Sequence, residues 1–191
     1  MVIEGSTRSP ERVVLLDDER KPAGAMPKHL VHGEKTPLHL AFSCHVVDDD
    51  GRVLVTRRAL SKATWPGVWT NAFCGHPGPD EPIDSAIVRR AEHELGLAID
   101  RIEPLLPDFA YRATDASGVE ENEFCPVYSA RAIGDPAPNP DEVQEYRWVQ
   151  PDDLARAVHA APWAFSPWLV WQLDELAGRP RTVLTDPRRS L

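Results

Sequence analysis

Cys74 and His76 stand two residues apart in the stretch WPGVWTNAFCGHP at 65–77, and a thiol and an imidazole at that spacing could share one small volume. If Phe73–His76 is extended, both side chains point to the same face. Gly75 between them lets a second backbone or a ligand come close. The competing reading of this stretch alone is a Gly/Pro/Trp-rich surface loop whose cysteine is a small buried hydrophobe. A second pair lies in Val119–Cys125, where strand alternation sends Glu121 and Glu123 to one face, roughly 7 Å apart at Cα. Neighbouring carboxylates repel unless a cation or a proton lies between them, although an exposed acidic strand edge would also place them there. With His32, His39 and His76, the two glutamates make a nitrogen/oxygen donor set suited to a divalent transition ion such as Mn²⁺, Zn²⁺ or Fe²⁺. The other histidines, His29, His45, His93 and His159, read as hydrogen-bonded structural residues.

Positioning these groups falls to a chain of 191 residues, 42% hydrophobic and 27% charged, which suits a single domain over 1–191 with a real core. Loose ends are expected at about 1–11 and 178–191. Val13–Leu16 reads as a short strand and 21–37 as loop. Leu38–Val47 is a strand that Asp48–Gly51 turns into its hairpin partner, Arg52–Arg57. A helix starts at Asp80–Glu81–Pro82 and runs to Leu95, where Gly96 stops it. Ile83, Ile87, Ala91 and Leu95 form its apolar stripe, while Arg90 and Glu94 share a different face. Asp108–Thr114 and Val119–Ala130 are strands, 134–142 is a proline-rich loop, and Tyr146–Val149 is a last strand. Asp152–Ala160 and Trp168–Leu176 read as helices, the second packed on the core. That order predicts an α/β fold of the α+β kind, with a mixed, mostly non-alternating sheet.

The net charge of −9 argues against a nucleic-acid partner, though a small phosphorylated ligand needs only a few well-placed cations. Three dispersed cysteines, Cys44, Cys74 and Cys125, do not make a disulfide framework. No stretch resembles a signal peptide or approaches the ~20 apolar residues of a membrane span. A soluble, reduced, cytoplasmic protein with no membrane partner is expected.

From Gly75 to Leu97 the sequence fits Gly-x5-Glu-x7-Arg, with Gly75, Glu81 and Arg89 in register, followed by Glu94, Gly96 and Leu97. That spacing resembles the Nudix box, whose helix presents carboxylates to a metal-bound diphosphate. Arg90 and His93 stand where the box has glutamates, so only Glu94 of its metal-binding trio remains. The whole segment from about Lys28 to Trp168 is similar to the type I isopentenyl-diphosphate delta-isomerases, enzymes of the Nudix fold. The resemblance rests on LHLAFS at 38–43, LVTRRALSK at 54–62, WPGVWTN at 65–71 and CGHP at 74–77. ELG at 94–96, YRATD at 111–115, ENEFCPV at 121–127 and PWAFSPW at 162–168 complete it.

The resemblance implies a Nudix fold, a mixed β-sheet sandwiched between helices, and a metal-dependent isomerase of isopentenyl and dimethylallyl diphosphate. Cys74 and Glu123 would flank the substrate's double bond as proton-transfer groups. Trp168 would face the carbocation-like intermediate, and Tyr111 would hydrogen-bond the catalytic glutamate. His32, His39, His76, Glu121 and Glu123 would hold Mn²⁺ or Zn²⁺. Glu94 and the carbonyl of Cys74 would meet Mg²⁺ arriving with the diphosphate, which Lys28, Arg58, Lys62 and Arg90 would grip. A monomer is expected. The alternatives are a Nudix pyrophosphohydrolase of nucleoside diphosphate derivatives and a non-catalytic metal- or diphosphate-binding module.

Overall fold

The computed structural model describes residues 11–179. The expectations for the loose ends therefore lie almost wholly outside the described residues. Two mixed sheets carry the chain. Strands β1 (Arg12–Leu16) and β2 (Pro22–Pro27) pair antiparallel and lead into a one-turn helix, α1 (Lys28–Val31). The segment expected as loop over 21–37 is thus partly structured. The sequence PAGAMP has little strand preference of its own, and its ladder with β1 sets it. β3 (His39–Leu40) and β4 (Phe42–Val47) follow, then β5 (Val53–Arg58) after a turn in which Gly51 has φ of 74°.

β4 and β5 touch in register only at Val47 and Val53 and then splay apart. Into the gap goes the stretch that carries Cys74. β6 (Trp69–Thr70) pairs with β5, and β7 (Phe73–Gly75) pairs with β4, placing Cys74 directly opposite Ser43. Helix α2 (Ile83–Leu95) comes next and ends on Gly96, whose φ of 54° is left-handed. The remaining elements are β8 (Ala98–Leu106), β9 (Ala110–Thr114), β10 (Glu120–Phe124), β11 (Val127–Ile133), β12 (Val143–Val149), α3 (Pro151–Ala160) and α4 (Pro167–Ala177).

The two sheets run β2-β1-β3-β10-β9 and β12-β5-β4-β11-β8. Two expected strands, Leu38–Val47 and Val119–Ala130, are each broken, at Ala41 and at Cys125–Pro126. Both segments leave the first sheet there and enter the second, side by side and parallel in each. Pro126 has no N–H for a ladder, and its carbonyl accepts from the Ser43 N–H at 3.1 Å. β8 was not expected at all, because AIDRIEPLL lacks clean alternation; it is an edge strand paired to β11 on one side.

The second sheet is covered on both faces, which matches the sandwich expected for the fold. Phe42, Cys44, Val46 and Leu54 pack under Ala86, Ile87, Ala91 and Leu95 of α2. Val47, Val53, Val55 and Val127 meet Leu154 and Val158 of α3 and Trp168, Leu169 and Leu176 of α4. Each fully buried Leu or Ile contributes about 1.5–3 kcal/mol, so these two layers hold the inserted stretch firmly. Among the described residues no helix is long and apolar enough to cross a membrane.

Candidate active site

The inserted stretch is fastened by its own polar groups. Thr56 Oγ1 donates to the carbonyls of Asn71 and Ala72, and Asn71 Nδ2 donates to the carbonyls of Cys44 and Phe73 at 3.0 and 2.7 Å. With its amide nitrogen so engaged, Asn71 aims Oδ1 at three donors: Thr70 Oγ1 at 3.0 Å, Trp168 Nε1 at 3.1 Å and Cys74 Sγ at 3.5 Å. Cys74 is half-buried, and burial pushes its thiol up to about 12 against the opposing pull of its hydrogen bonds with Ser43 and with the accepting Asn71 Oδ1. Gly75 has no room for a side chain, since a Cβ there would stand 2.7 Å from Cγ of Arg90 and 2.9 Å from Cζ of Phe42.

Across a small cavity of about 140 Å³, β3, β7, β10 and the residue after α1 bring His32, His39, His76 and Glu123 together. One ligand atom from each lies within 4.8 Å of all the others. His76 Nε2 is 3.1 Å from Glu123 Oε1, and His39 Nε2 is 3.3 Å from the same oxygen. His39 turns Nδ1 to the Pro37 carbonyl at 2.9 Å, which leaves Nε2 free to face inward. The Nε2 atoms of His32 and His39 are buried without a hydrogen-bond partner. Inward-facing, unpartnered imidazole nitrogens beside a carboxylate are the donor set of a divalent ion, so the cluster could hold one. Burial alone would raise the Glu123 carboxyl, but the three histidines win and hold it well below the carboxylate range. Burial pushes His76 down to about 4, whereas for His39 the Glu123 carboxylate outweighs burial and raises it.

Glu121 faces the same cavity but stands outside that four-residue group. Thr64 Oγ1 donates to its Oε1 at 2.5 Å and the Tyr111 hydroxyl to its Oε2 at 2.6 Å. Burial, with the neighbouring Glu123 charge, raises its carboxyl. The hydroxyl of Tyr111 was expected on Glu123 and is found on Glu121. Tyr111 sits opposite Glu123 in the β9–β10 ladder, and its long side chain reaches the diagonal residue on the same face. The ring of Trp168 is fully buried, tilted against Tyr111 at 5.7 Å and edge-on to Trp65 at 5.4 Å.

At the other end stand the cations. Arg58 lies over the Trp168 ring, 5.2 Å from its centroid, and donates to the carbonyls of Thr64 and Trp65. Lys28 donates to Glu11 at 2.9 Å, and Lys62 to Glu142. Arg90 is almost fully buried, donating to Glu94 at 2.5 Å and to Glu142 at 3.2 Å. Burial would lower Arg90, but Glu94 and Glu142 outweigh it and raise it further. Burial, together with Arg90, lowers Lys28. Glu81 and Arg89 pair through two bonds of 2.7 and 2.8 Å, and Arg89 also donates to the His76 carbonyl at 3.2 Å. This pair ties the start of α2 to the loop that carries His76.

Of the residues singled out from the sequence, all but His39 and Glu94 line the one cavity. His39 lies behind its wall at 0% exposure, and Glu94 is occupied by Arg90. Asn71, Thr64 and Ser43 also belong to the site and are not among the residues that the sequence singles out. Asn71 and Ser43 lie inside the motif strings, and a serine and a histidine within the otherwise apolar FSCHVV of β4 were the available signal.

A NUDIX domain family model matches residues 37–169. The chain is 65% identical over 168 residues to the isopentenyl-diphosphate Delta-isomerase of Agromyces mediolanus, covering 88% of this chain and 82% of that protein. It is 62% identical over 176 residues to the protein of the same name from Kocuria rhizophila, covering 92% and 97%. Among solved structures, a Deinococcus radiodurans protein superposes with a TM-score of 0.67 at 19% identity, over 87% of this chain and 99% of that one. A MutT NUDIX hydrolase from Burkholderia pseudomallei superposes at 0.56 with 27% identity, over 73% and 98%.

Proposed function

We infer that this chain, which belongs to the isopentenyl-diphosphate Delta-isomerase family of NUDIX domain proteins, interconverts isopentenyl diphosphate and dimethylallyl diphosphate. One observation carries the reading: Cys74 and Glu123 face a single cavity whose rim holds Lys28, Lys62 and Arg90. The reaction adds a proton at one end of a three-carbon allylic unit and removes one at the other, so no atom is gained or lost. Sγ of Cys74 and a carboxylate oxygen of Glu123 are the two proton-handling atoms, one giving and the other taking. Between the two transfers the carbon skeleton carries positive charge. The buried faces of Trp168 and Tyr111 offer π density to it and exclude nucleophilic water. Lys28, Lys62, Arg90 and Arg58 hold the diphosphate, and they hold it uncleaved. Arg90 and His93 stand where the box has carboxylates, which supports isomerisation over hydrolysis.

His32, His39, His76 and Glu123, with Glu121 beside them, would hold one Mn²⁺ or Zn²⁺, and Glu94 with the Cys74 carbonyl would take Mg²⁺ that accompanies the diphosphate. When bound, such ions supply positive charge that fixes the ionisation of Glu123 and neutralises the diphosphate. Three free cysteines suit the cytoplasm.

The test is turnover of isopentenyl diphosphate followed by NMR, with phosphate release measured alongside. Wild-type protein converts the substrate and releases no phosphate, while Cys74→Ala loses at least about 10²-fold in turnover and still binds diphosphate. Phosphate release by the wild type, or full turnover by Cys74→Ala, defeats the reading.

A further inference from the structure

Ser43 is the residue directly opposite Cys74 in the β4–β7 ladder, and its Oγ lies 3.1 Å from Sγ. It is 0% exposed, as are His45, two residues along the same face, and Gln172 of α4, which meets both. Gln172 Nε2 donates to Ser43 Oγ at 2.9 Å, and the Cys125 thiol points at the same oxygen at 3.7 Å. A hydroxyl has two acceptor sites and one proton. With donors on its acceptor side, the Ser43 proton is left for Sγ of Cys74. The orientation of Gln172 is fixed in turn, since its Oε1 faces His45 Nε2 at 3.0 Å. His45 Nδ1 is buried with no partner, which suits a neutral ring whose single proton sits on Nε2, and burial holds this imidazole down to about 4. The bonds therefore run one way: His45 Nε2–H to Gln172, Gln172 amide N–H to Ser43, Ser43 O–H to sulfur. On the far side of the sulfur, Asn71 Oδ1 is only an acceptor, locked by its amide bonds to two carbonyls.

We propose that Ser43, oriented by Gln172 and His45, is a positioning residue for the isomerisation: its O–H occupies one face of the Cys74 sulfur and fixes where the thiol proton points. The inference rests on the isomerase reading above. Ser43 stays protonated throughout, and no proton passes along the chain to His45. None of the three touches a diphosphate-gripping cation, so their effect belongs in the proton-transfer step and not in substrate binding.

The experiment is steady-state kinetics of Ser43→Ala and Gln172→Met on isopentenyl diphosphate, with thermal unfolding of each. Ser43→Ala lowers kcat about ten- to a hundredfold with KM unchanged, the size expected when a reacting group loses its alignment. Gln172→Met lowers kcat in the same direction by less, because Ser43 keeps its hydroxyl and loses only its orientation. Ser43→Thr, which retains the hydroxyl, recovers most of the kcat lost in Ser43→Ala. If Ser43→Ala does not fold, the double variant Ser43→Ala/Gln172→Met removes both partners of the buried bond and is read by the same criterion. A kcat equal to wild type in Ser43→Ala, or KM and kcat changing together with the melting temperature, overturns the proposal. Wild-type protein that isomerises nothing overturns the activity itself and is distinguishable from both results.

Discussion

The two ends of the cavity are built on opposite electrostatic plans. At the histidine end, three imidazoles surround the ionised carboxylate of Glu123, and the group is sealed, with His39 fully buried and Glu123 only 5% exposed. At the cationic end, Lys28 and Lys62 are matched by Glu11 and Glu142 in partly open ion pairs, and Arg90 by Glu94 and Glu142 in buried ones. Among the described residues, the first end has buried ligand atoms without a hydrogen-bond partner, and no such buried atom belongs to the second. An arrangement of the first kind suits an ion that stays in place through many turnovers. An arrangement of the second kind suits cations that exchange their carboxylate partners for an arriving diphosphate. Changes at the first end should therefore act on chemistry, and changes at the second on substrate affinity and stability.

The largest effect belongs to Glu123. Glu123→Gln keeps the shape, removes the charge that the three histidines surround, and removes the proposed proton acceptor. Turnover falls by about 10²–10⁴-fold. Metal bound after purification, measured by elemental analysis, falls with it, while KM for the diphosphate stays near the wild-type value. Unchanged metal content together with unchanged turnover would erase the distinction between the two ends.

Arg90→Ala attacks the cationic end at its most buried point. It strands Glu94 and leaves Glu142 with Lys62, and loss of one partner from a buried pair costs about 3–5 kcal/mol. The melting temperature drops and KM for isopentenyl diphosphate rises by about tenfold or more, in line with one lost charge-assisted contact. If kcat fell by as much while KM held, Arg90 would belong with the chemistry and the comparison would need redrawing.

The sequence carried much of this arrangement, and its gaps have physical causes. Helix α2 was legible because Ile87, Ala91 and Leu95 recur at helical spacing and Gly96 supplies a left-handed stop. The breaks at Ala41 and Pro126 were not, because an apolar run does not reveal which of two sheets it pairs with. Chemistry-bearing residues could be seen by type, and the cavity brings most of them together. Their mutual orientation could not: Tyr111 on Glu121 follows from a diagonal reach across a ladder. Gln172 meets Ser43 from 129 residues away. Such contacts depend on the packing of α4 on β4, which no local pattern encodes.

Glu142 gives the smallest effect and the cleanest pH signature. Burial would raise its carboxyl, but Lys62, Arg90 and Lys28 overcome that and hold it at about 2, against an ordinary 4.5. A carboxyl depressed by folding stabilises the protein above its unfolded value, and that contribution fades as pH falls through the folded one. Glu142→Gln is therefore less stable than wild type at neutral pH, by about 1 kcal/mol once solvent access to the pair is allowed for. Between about pH 4.5 and 2 the gap closes, because the wild-type carboxyl takes up the proton that makes it resemble the amide. Denaturant unfolding of both proteins across that range measures the gap. Saturating inorganic pyrophosphate at neutral pH narrows it too, since the ligand supplies the counter-charge that Glu142 provided. A gap that stays constant down to pH 2 would mean that Glu142 packs without acting as the counter-ion of Arg90 and Lys62, and the cationic end would lose its defining feature.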